Sequence, residues 1–223
     1  MLDGMMRRLI DPVLDRIAGR LVLRGIGADT VTFTGFALGL VSALGVAIEA
    51  DAAALLALAL SRLCDGLDGA VARRTTPTDR GGYMDIVLDF AFYGAIPLAF
   101  ALRDPQANAI PAVILLFTFY VNGASFLAFS AVAAKRQMDS KVRGLKSIYF
   151  TIGLAEGTET IIAFVAMMLF PAHFALIAYF FAGLVAMTAL SRLTLAWTVF
   201  RDEPEDEATP ADESLDRDGG SRP

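Results

Sequence analysis

Cysteine, histidine and tryptophan each occur once in the 223 residues, as Cys64, His173 and Trp197. A lone thiol excludes an internal disulfide and leaves no partner for thiol redox chemistry. No dense basic patch interleaved with aromatics is present, so the footprint of a nucleic-acid-binding protein is missing. Residues 1–24 lack an uninterrupted apolar core ahead of a small-residue cleavage site. Arg7, Arg8, Arg16, Arg20 and Arg24 are spread through them instead, which argues against a secretory signal. No internal repeat is visible. Charge is scarce over long stretches, and that scarcity decides the class.

Hydrophobic residues make up 56% of the chain and the mean hydropathy is +0.56, too apolar for an ordinary soluble domain. Six apolar segments, at residues 31–50, 52–71, 83–102, 109–134, 148–170 and 172–200, are each long enough to cross about 30 Å of hydrocarbon. Short links imply an up-and-down bundle. The fold class expected is an all-α integral membrane protein with six transmembrane helices, residues 31–200, preceded by an amphipathic surface helix within residues 1–30. Asp11-Pro12 reads as that helix's start, with Asp as N-cap and Pro in the first turn. Val13, Leu14, Ile17, Ala18, Leu21 and Val22 share one face, opposite Asp15, Arg16 and Arg20, and Gly25 and Gly27 end it. Such a face suits a membrane surface.

The net charge of −5 is misleading, because nine acidic residues lie between Asp202 and Asp218. Residues 201–223, rich in Glu, Asp, Pro, Ser and Gly, cannot bury enough apolar surface to fold and read as a disordered acidic tail. Within the body, Lys and Arg alternate between links. They crowd residues 1–30, then Arg73, Arg74 and Arg80, then Lys135, Arg136, Lys141, Arg143 and Lys146, while the intervening links hold only Arg103. The positive-inside rule puts both termini and those basic links on the cytoplasmic side of a cell membrane. His173 then falls in an outer loop, and Trp197 sits at the cytoplasmic interface as an aromatic-belt residue.

Against this background the stretch from Asp65 to Asp89 stands out. Asp65 and Asp68 lie three residues apart at the cytoplasmic end of the second span, and Asp85 and Asp89 four apart at the start of the third, so each pair shares a helix face. A short link should make these helices antiparallel neighbours, converging four carboxylates on one pocket open to the cytosol. Carboxylates near a bilayer are costly unless paired, solvated or bound to a cation. Oxygen donors with no His or Cys favour Mg²⁺, Mn²⁺ or Ca²⁺ over zinc. An EF-hand is excluded, since its alternating acidic positions and terminal Glu are missing. Gly66 and Gly69 remove side chains next to the aspartates and would let a bulky ligand approach the backbone.

Asp65, Asp68, Gly69, Ala72 and Arg73, followed by Gly81, Asp85 and Asp89, form D-x-x-D-G-x-x-A-R … G-x-x-x-D-x-x-x-D. This pattern resembles the signature of the CDP-alcohol phosphotransferases. The resemblance extends over roughly residues 5–200 and implies two metal ions, Mg²⁺ or Mn²⁺, held by Asp65, Asp68, Asp85 and Asp89. It also implies that Asp89 is the general base and that Asp68, Gly69, Ala72, Arg73 and Gly81 bind the donor CDP. The partners would be a CDP-linked lipid, a small alcohol, the bilayer and a second copy in a homodimer. In such a reaction the acceptor hydroxyl attacks the β-phosphorus and CMP leaves. Residues 28–32, Ala-Asp-Thr-Val-Thr, resemble the family's Pro-Asn-x-Leu-Thr lead-in but differ at Pro and Asn.

The acceptor side is vaguer. Lys135, Arg136 and Arg192 are candidates for a phosphorylated acceptor, although the loop cations also serve topology and lipid headgroups. Glu156 and Glu159, three apart within an apolar segment, are candidates for hydroxyl or amine recognition or for an ion pair with Arg192. Tyr149-Phe150 and Gly153-Leu154 resemble the lead-in of the serine-accepting branch, but Ala155 stands where that branch has Pro. Two rival classes also use acidic clusters. A Mg²⁺-dependent membrane prenyltransferase would place its acidic motifs on separate halves of a longer bundle. A cation transporter would place its site near the midplane between repeats.

Overall fold

The computed structural model describes residues 3–136 and 157–200. Every regular element in that range is helical: α1 (Asp3–Leu23), α2 (Ala28–Ala47), α3 (Asp51–Arg74), α4 (Asp79–Arg103), α5 (Pro105–Lys135), α6 (Gly157–Leu169), a 3₁₀ turn (Pro171–His173) and α7 (Phe174–Val199). Local chemistry sets several boundaries. The Thr78 hydroxyl accepts from Gly81 N at 3.0 Å to cap α4. Asp104 accepts from Ala107 N at 3.0 Å to cap α5, with Pro105 in its first turn. Gly25, at φ +74°, turns the chain between α1 and α2.

Among the described residues α2, α4, α5 and Pro171–Val199 are long and apolar enough to cross a membrane. The other two expected spans differ. α3 is long enough, but its second half carries Arg62, Asp65 and Asp68. α6 is described only over Gly157–Leu169, so the start of the expected span at 148–170 lies outside the described residues. So do Lys141, Arg143, Lys146, Glu156 and the acidic tail.

Packing runs in a ring: α3 against α2, α2 against α4, α4 against α5, α5 against α7, α7 against α6, and α6 back against α3. All six contribute to one core. Phe164 meets Phe92 and Phe119 edge-on, and Phe100 stacks on Phe174 with centroids 4.3 Å apart. α1 lies outside the ring against α3. Its stripe of Leu14, Ala18, Ile17, Leu21 and Val22 packs on Leu67, Ala70 and Val71, so the face expected to lie on a membrane is used in part for docking, while Val13 remains exposed.

The start expected at Asp11-Pro12 is wrong: α1 begins at Asp3 and Pro12 is interior. Pro12 lies on an exposed side of the helix, where water can satisfy the carbonyl that its missing N–H leaves free.

The ends of the bundle are tied across links. Arg103, at the end of α4, pairs with Asp51, at the start of α3, and Arg80 pairs with Asp29 at the opposite end. Arg136 Nη2 donates to the Phe200 carbonyl at 3.3 Å. The links that follow α2 and α4 therefore share one end, while the link between α3 and α4 joins the start of α2 at the other, and Arg136 meets the end of α7. This is the alternation that the Lys and Arg distribution implied.

Candidate active site

Small side chains on α2 create the site. A Cβ on Gly35 would lie 2.9 Å from Cys64 Cβ, one on Gly39 2.6 Å from the Phe92 ring, and one on Gly45 3.0 Å from Ala54 Cβ. Only glycine admits α3 and α4 this close, the small-residue packing common between apolar helices. Two buried hydroxyls stitch the contact: Ser42 Oγ donates to Ala54 O at 2.8 Å and Ser61 Oγ to Gly35 O at 2.7 Å. Because α2 wedges between them, the backbones of α3 and α4 rarely come close among the described residues. The expected convergence of their carboxylates holds, but the two helices face each other through side chains across a gap rather than by close backbone packing. A wedge beneath both helices leaves a cleft between them, lined by Thr32, Gly35 and Phe36 from α2, Arg62, Asp65 and Asp68 from α3, and Asp85, Leu88, Asp89 and Phe92 from α4.

Within the cleft, carboxylate oxygens of Asp65, Asp85 and Asp89 all lie within 4.8 Å of one another. Asp68 lines the same cleft but is 7% exposed, and its Oδ2 accepts from Thr32 Oγ1 at 2.8 Å. Three oxygen donors at this spacing, with a fourth carboxylate beside them, fit the hard, oxygen-only donor set of Mg²⁺ or Mn²⁺. Like charges this close repel unless a cation intervenes.

The chain supplies one such cation, which the motif does not include. Arg62 Nη1 stands 3.3 Å from both Asp65 Oδ1 and Asp89 Oδ1. Its Nη2 donates to Ser61 Oγ at 3.2 Å, and the guanidinium lies 4.2 Å above the Phe92 ring. Arg62 Nε is buried without a hydrogen-bond partner. An orphaned donor costs about 1–3 kcal/mol, so the surrounding contacts must hold it there. The sequence signal was available: an Arg inside an apolar span, three residues before Asp65.

A family model for CDP-alcohol phosphatidyltransferase matches residues 26–200. The chain belongs to the CDP-alcohol phosphatidyltransferase family. It is therefore an enzyme of phospholipid synthesis in a membrane. The inner membrane protein YnjF of Escherichia coli K12 is 46% identical over 193 residues, covering 86% of this chain and 94% of that one. An archaetidylinositol phosphate synthase of Methanothermobacter thermautotrophicus is 43% identical over 84 residues, 37% of this chain and 40% of its own. The phosphatidylinositol phosphate synthase PgsA1 of Mycobacterium tuberculosis, solved with CDP-DAG bound, shares the fold at TM-score 0.65 and 21% identity. The match covers 86% of this chain and all of that one.

The remaining signature residues of this phosphatidyltransferase are placed unevenly. Gly66 faces α1: a Cβ there would lie 2.8 Å from Leu14 Cδ1. It admits a helix, not a ligand as expected. A Cβ on Gly69 would lie 3.4 Å from Arg73 Nη1, and one on Gly81 3.1 Å from Thr78 Oγ1 and 3.4 Å from Asp29 Oδ1. Gly81 thus accommodates the α4 cap and Asp29, the partner of Arg80. Ala72 is half-buried and Arg73 exposed. Thr32, at the threonine of the lead-in resemblance, proves to be the partner of Asp68.

Among the described residues, the acceptor candidates Lys135, Arg136, Arg192 and Glu159 do not line the cleft, and Glu156 lies outside them. Arg192 Nη1 donates to Asn122 Oδ1 at 2.9 Å, to Asn122 O at 3.1 Å and to Ser125 Oγ at 3.1 Å, joining α7 to α5. Arg136 lies over the Phe200 ring. Lys135 is exposed, and Glu159 is half-buried in the first turn of α6.

Proposed function

We propose that this enzyme transfers a phosphatidyl-type group from a CDP-activated lipid, of the CDP-diacylglycerol class, to a small alcohol and releases CMP. The observation that carries the proposal is the convergence of Asp65, Asp85 and Asp89 oxygens in one cleft, with Asp68 beside them. Asp65, Asp68, Asp85 and Asp89 would hold two divalent ions, Mg²⁺ or Mn²⁺. Bound there, the ions supply positive charge against the donor diphosphate and the CMP that leaves. Asp89 takes the proton from the acceptor hydroxyl as its oxygen forms a bond to the β-phosphorus. The bond from that phosphorus to the bridging oxygen breaks, and CMP keeps the electron pair. Asp68, Gly69, Ala72, Arg73 and Gly81 form the donor side, with the exposed Arg73 guanidinium free to reach phosphate.

Lys135, Arg136, Arg192, Glu156 and Glu159 form the acceptor side, with Arg192 its fixed cation. The cleft and both termini face the cytoplasm, and the protein works as a homodimer in a cell inner membrane. The topology reading and the family resemblance support these statements.

The test is a panel assay on the full chain in detergent micelles. CDP-diacylglycerol and Mg²⁺ or Mn²⁺ are supplied with serine, glycerol 3-phosphate, inositol, inositol phosphate or no acceptor. CMP should appear with one acceptor class and far more slowly with none. Absence of CMP under every condition would reject the reading.

A further inference from the structure

The cleft holds a cation of its own, and it is not a loose one. Arg62 is gripped from four directions. Nη1 meets Asp65 Oδ1 and Asp89 Oδ1, each at 3.3 Å. Nη2 rests on Ser61 Oγ, whose own proton goes to the Gly35 carbonyl of α2. The face of the guanidinium lies on Phe92, which is 1% exposed and part of the bundle core. Ser61 is completely buried. To leave, the side chain would have to abandon a buried hydroxyl and an aromatic face together, in a helix–helix contact where glycines allow no slack.

We infer that Arg62 is a resident counter-cation of the carboxylate cleft, a positioning residue that bridges Asp65 and Asp89 whether or not metal is present and that lowers the cleft's affinity for divalent ions. The inference rests on the metal reading above. Two consequences follow from charge and geometry. Without metal, Arg62 offsets the repulsion between carboxylates on α3 and α4 and so keeps the cleft assembled. With metal, a fixed positive charge 3.3 Å from two of the ligands opposes binding of a second cation. Removing that charge without adding bulk should therefore tighten metal binding, although the empty protein becomes less stable. A merely structural residue would do the reverse, because a damaged site binds metal more weakly.

The experiment titrates Mn²⁺ into the full chain in micelles by calorimetry or electron paramagnetic resonance, and records melting with and without metal. Wild type, Arg62→Gln, Arg62→Lys and Asp85→Asn are compared. Arg62→Gln should bind Mn²⁺ about tenfold or more tightly, and should melt lower than wild type without metal, with much of the difference regained when metal is bound. Arg62→Lys, which keeps the charge but not the planar fork, should bind Mn²⁺ within about threefold of wild type. Unchanged or weaker binding in Arg62→Gln would overturn the inference, and Arg62→Lys guards against misreading a folding defect. If Asp85→Asn binds Mn²⁺ as wild type does, the ion is held elsewhere, and the metal reading and the Arg62 inference fall together.

Discussion

The two cationic regions at this end of the bundle are built differently. Arg62 sits in a cleft where α2, α3 and α4 meet through glycines and buried hydroxyls, and it faces carboxylates. Arg192 joins α5 to α7 through neutral partners, Asn122 and Ser125, beside Phe126. The first region sets one guanidinium among four carboxylates, at fixed spacing. The second fixes its guanidinium between two helices through amide and hydroxyl oxygens, outside the carboxylate cleft. The contrast suits a reaction with one constant step, cleavage of a diphosphate, and one variable partner, the alcohol.

The largest effect is expected from Asp89→Asn. Without the proposed base, CMP release should fall about a thousandfold, within the range general bases supply, while melting in micelles stays near wild type. Substantial remaining activity would remove Asp89 from that role. Next is Gly39→Ala, whose Cβ would strike the Phe92 ring at 2.6 Å. Overpacking of this kind costs about 1–3 kcal/mol, so melting should drop and the support beneath Arg62 should shift. Thr32→Val removes a hydroxyl bonded to Asp68 and should reduce turnover about tenfold, the value of a hydrogen bond to a charged group. Arg192→Ala should sharpen the contrast from the other side, raising the acceptor KM while leaving the donor KM within about twofold; equal effects on both would merge the two regions. The smallest effect belongs to Arg80→Ala. Its ion pair with Asp29 is exposed, so stability should change by less than about 1 kcal/mol.

Hydropathy and spacing made much of this legible. The apolar runs located α2, α4, α5 and α7, and the aspartate spacing put Asp65 and Asp68 on one helix and Asp85 and Asp89 on the next. Neighbour relations were harder. A short link between α3 and α4 suggests direct packing, but a link constrains only helix ends. The wedge of α2 depends on Gly35, Gly39 and Gly45, whose meaning appears only once their partners Cys64, Phe92 and Ala54 are known. Gly66 was misread for the same reason, since a glycine's missing side chain does not announce what fills the space. Arg62 was hidden by its position, because charges were counted in links and this one lies inside a helix. The Asp11-Pro12 signal failed because a local rule for starting helices yields where the preceding residues also form one.

Everything proposed for this enzyme depends on cleavage of a CDP-linked lipid, with metal bound, in the cleft between α3 and α4. Its most direct measurement is CMP release from CDP-diacylglycerol by wild type and Asp85→Asn, with the accepting alcohol, before and after EDTA and again after Mg²⁺ or Mn²⁺ is restored. Release by wild type should be abolished by EDTA and restored by metal, and Asp85→Asn should lose about a hundredfold or more. CMP release that survives EDTA, or that Asp85→Asn sustains at the wild-type rate, would contradict it.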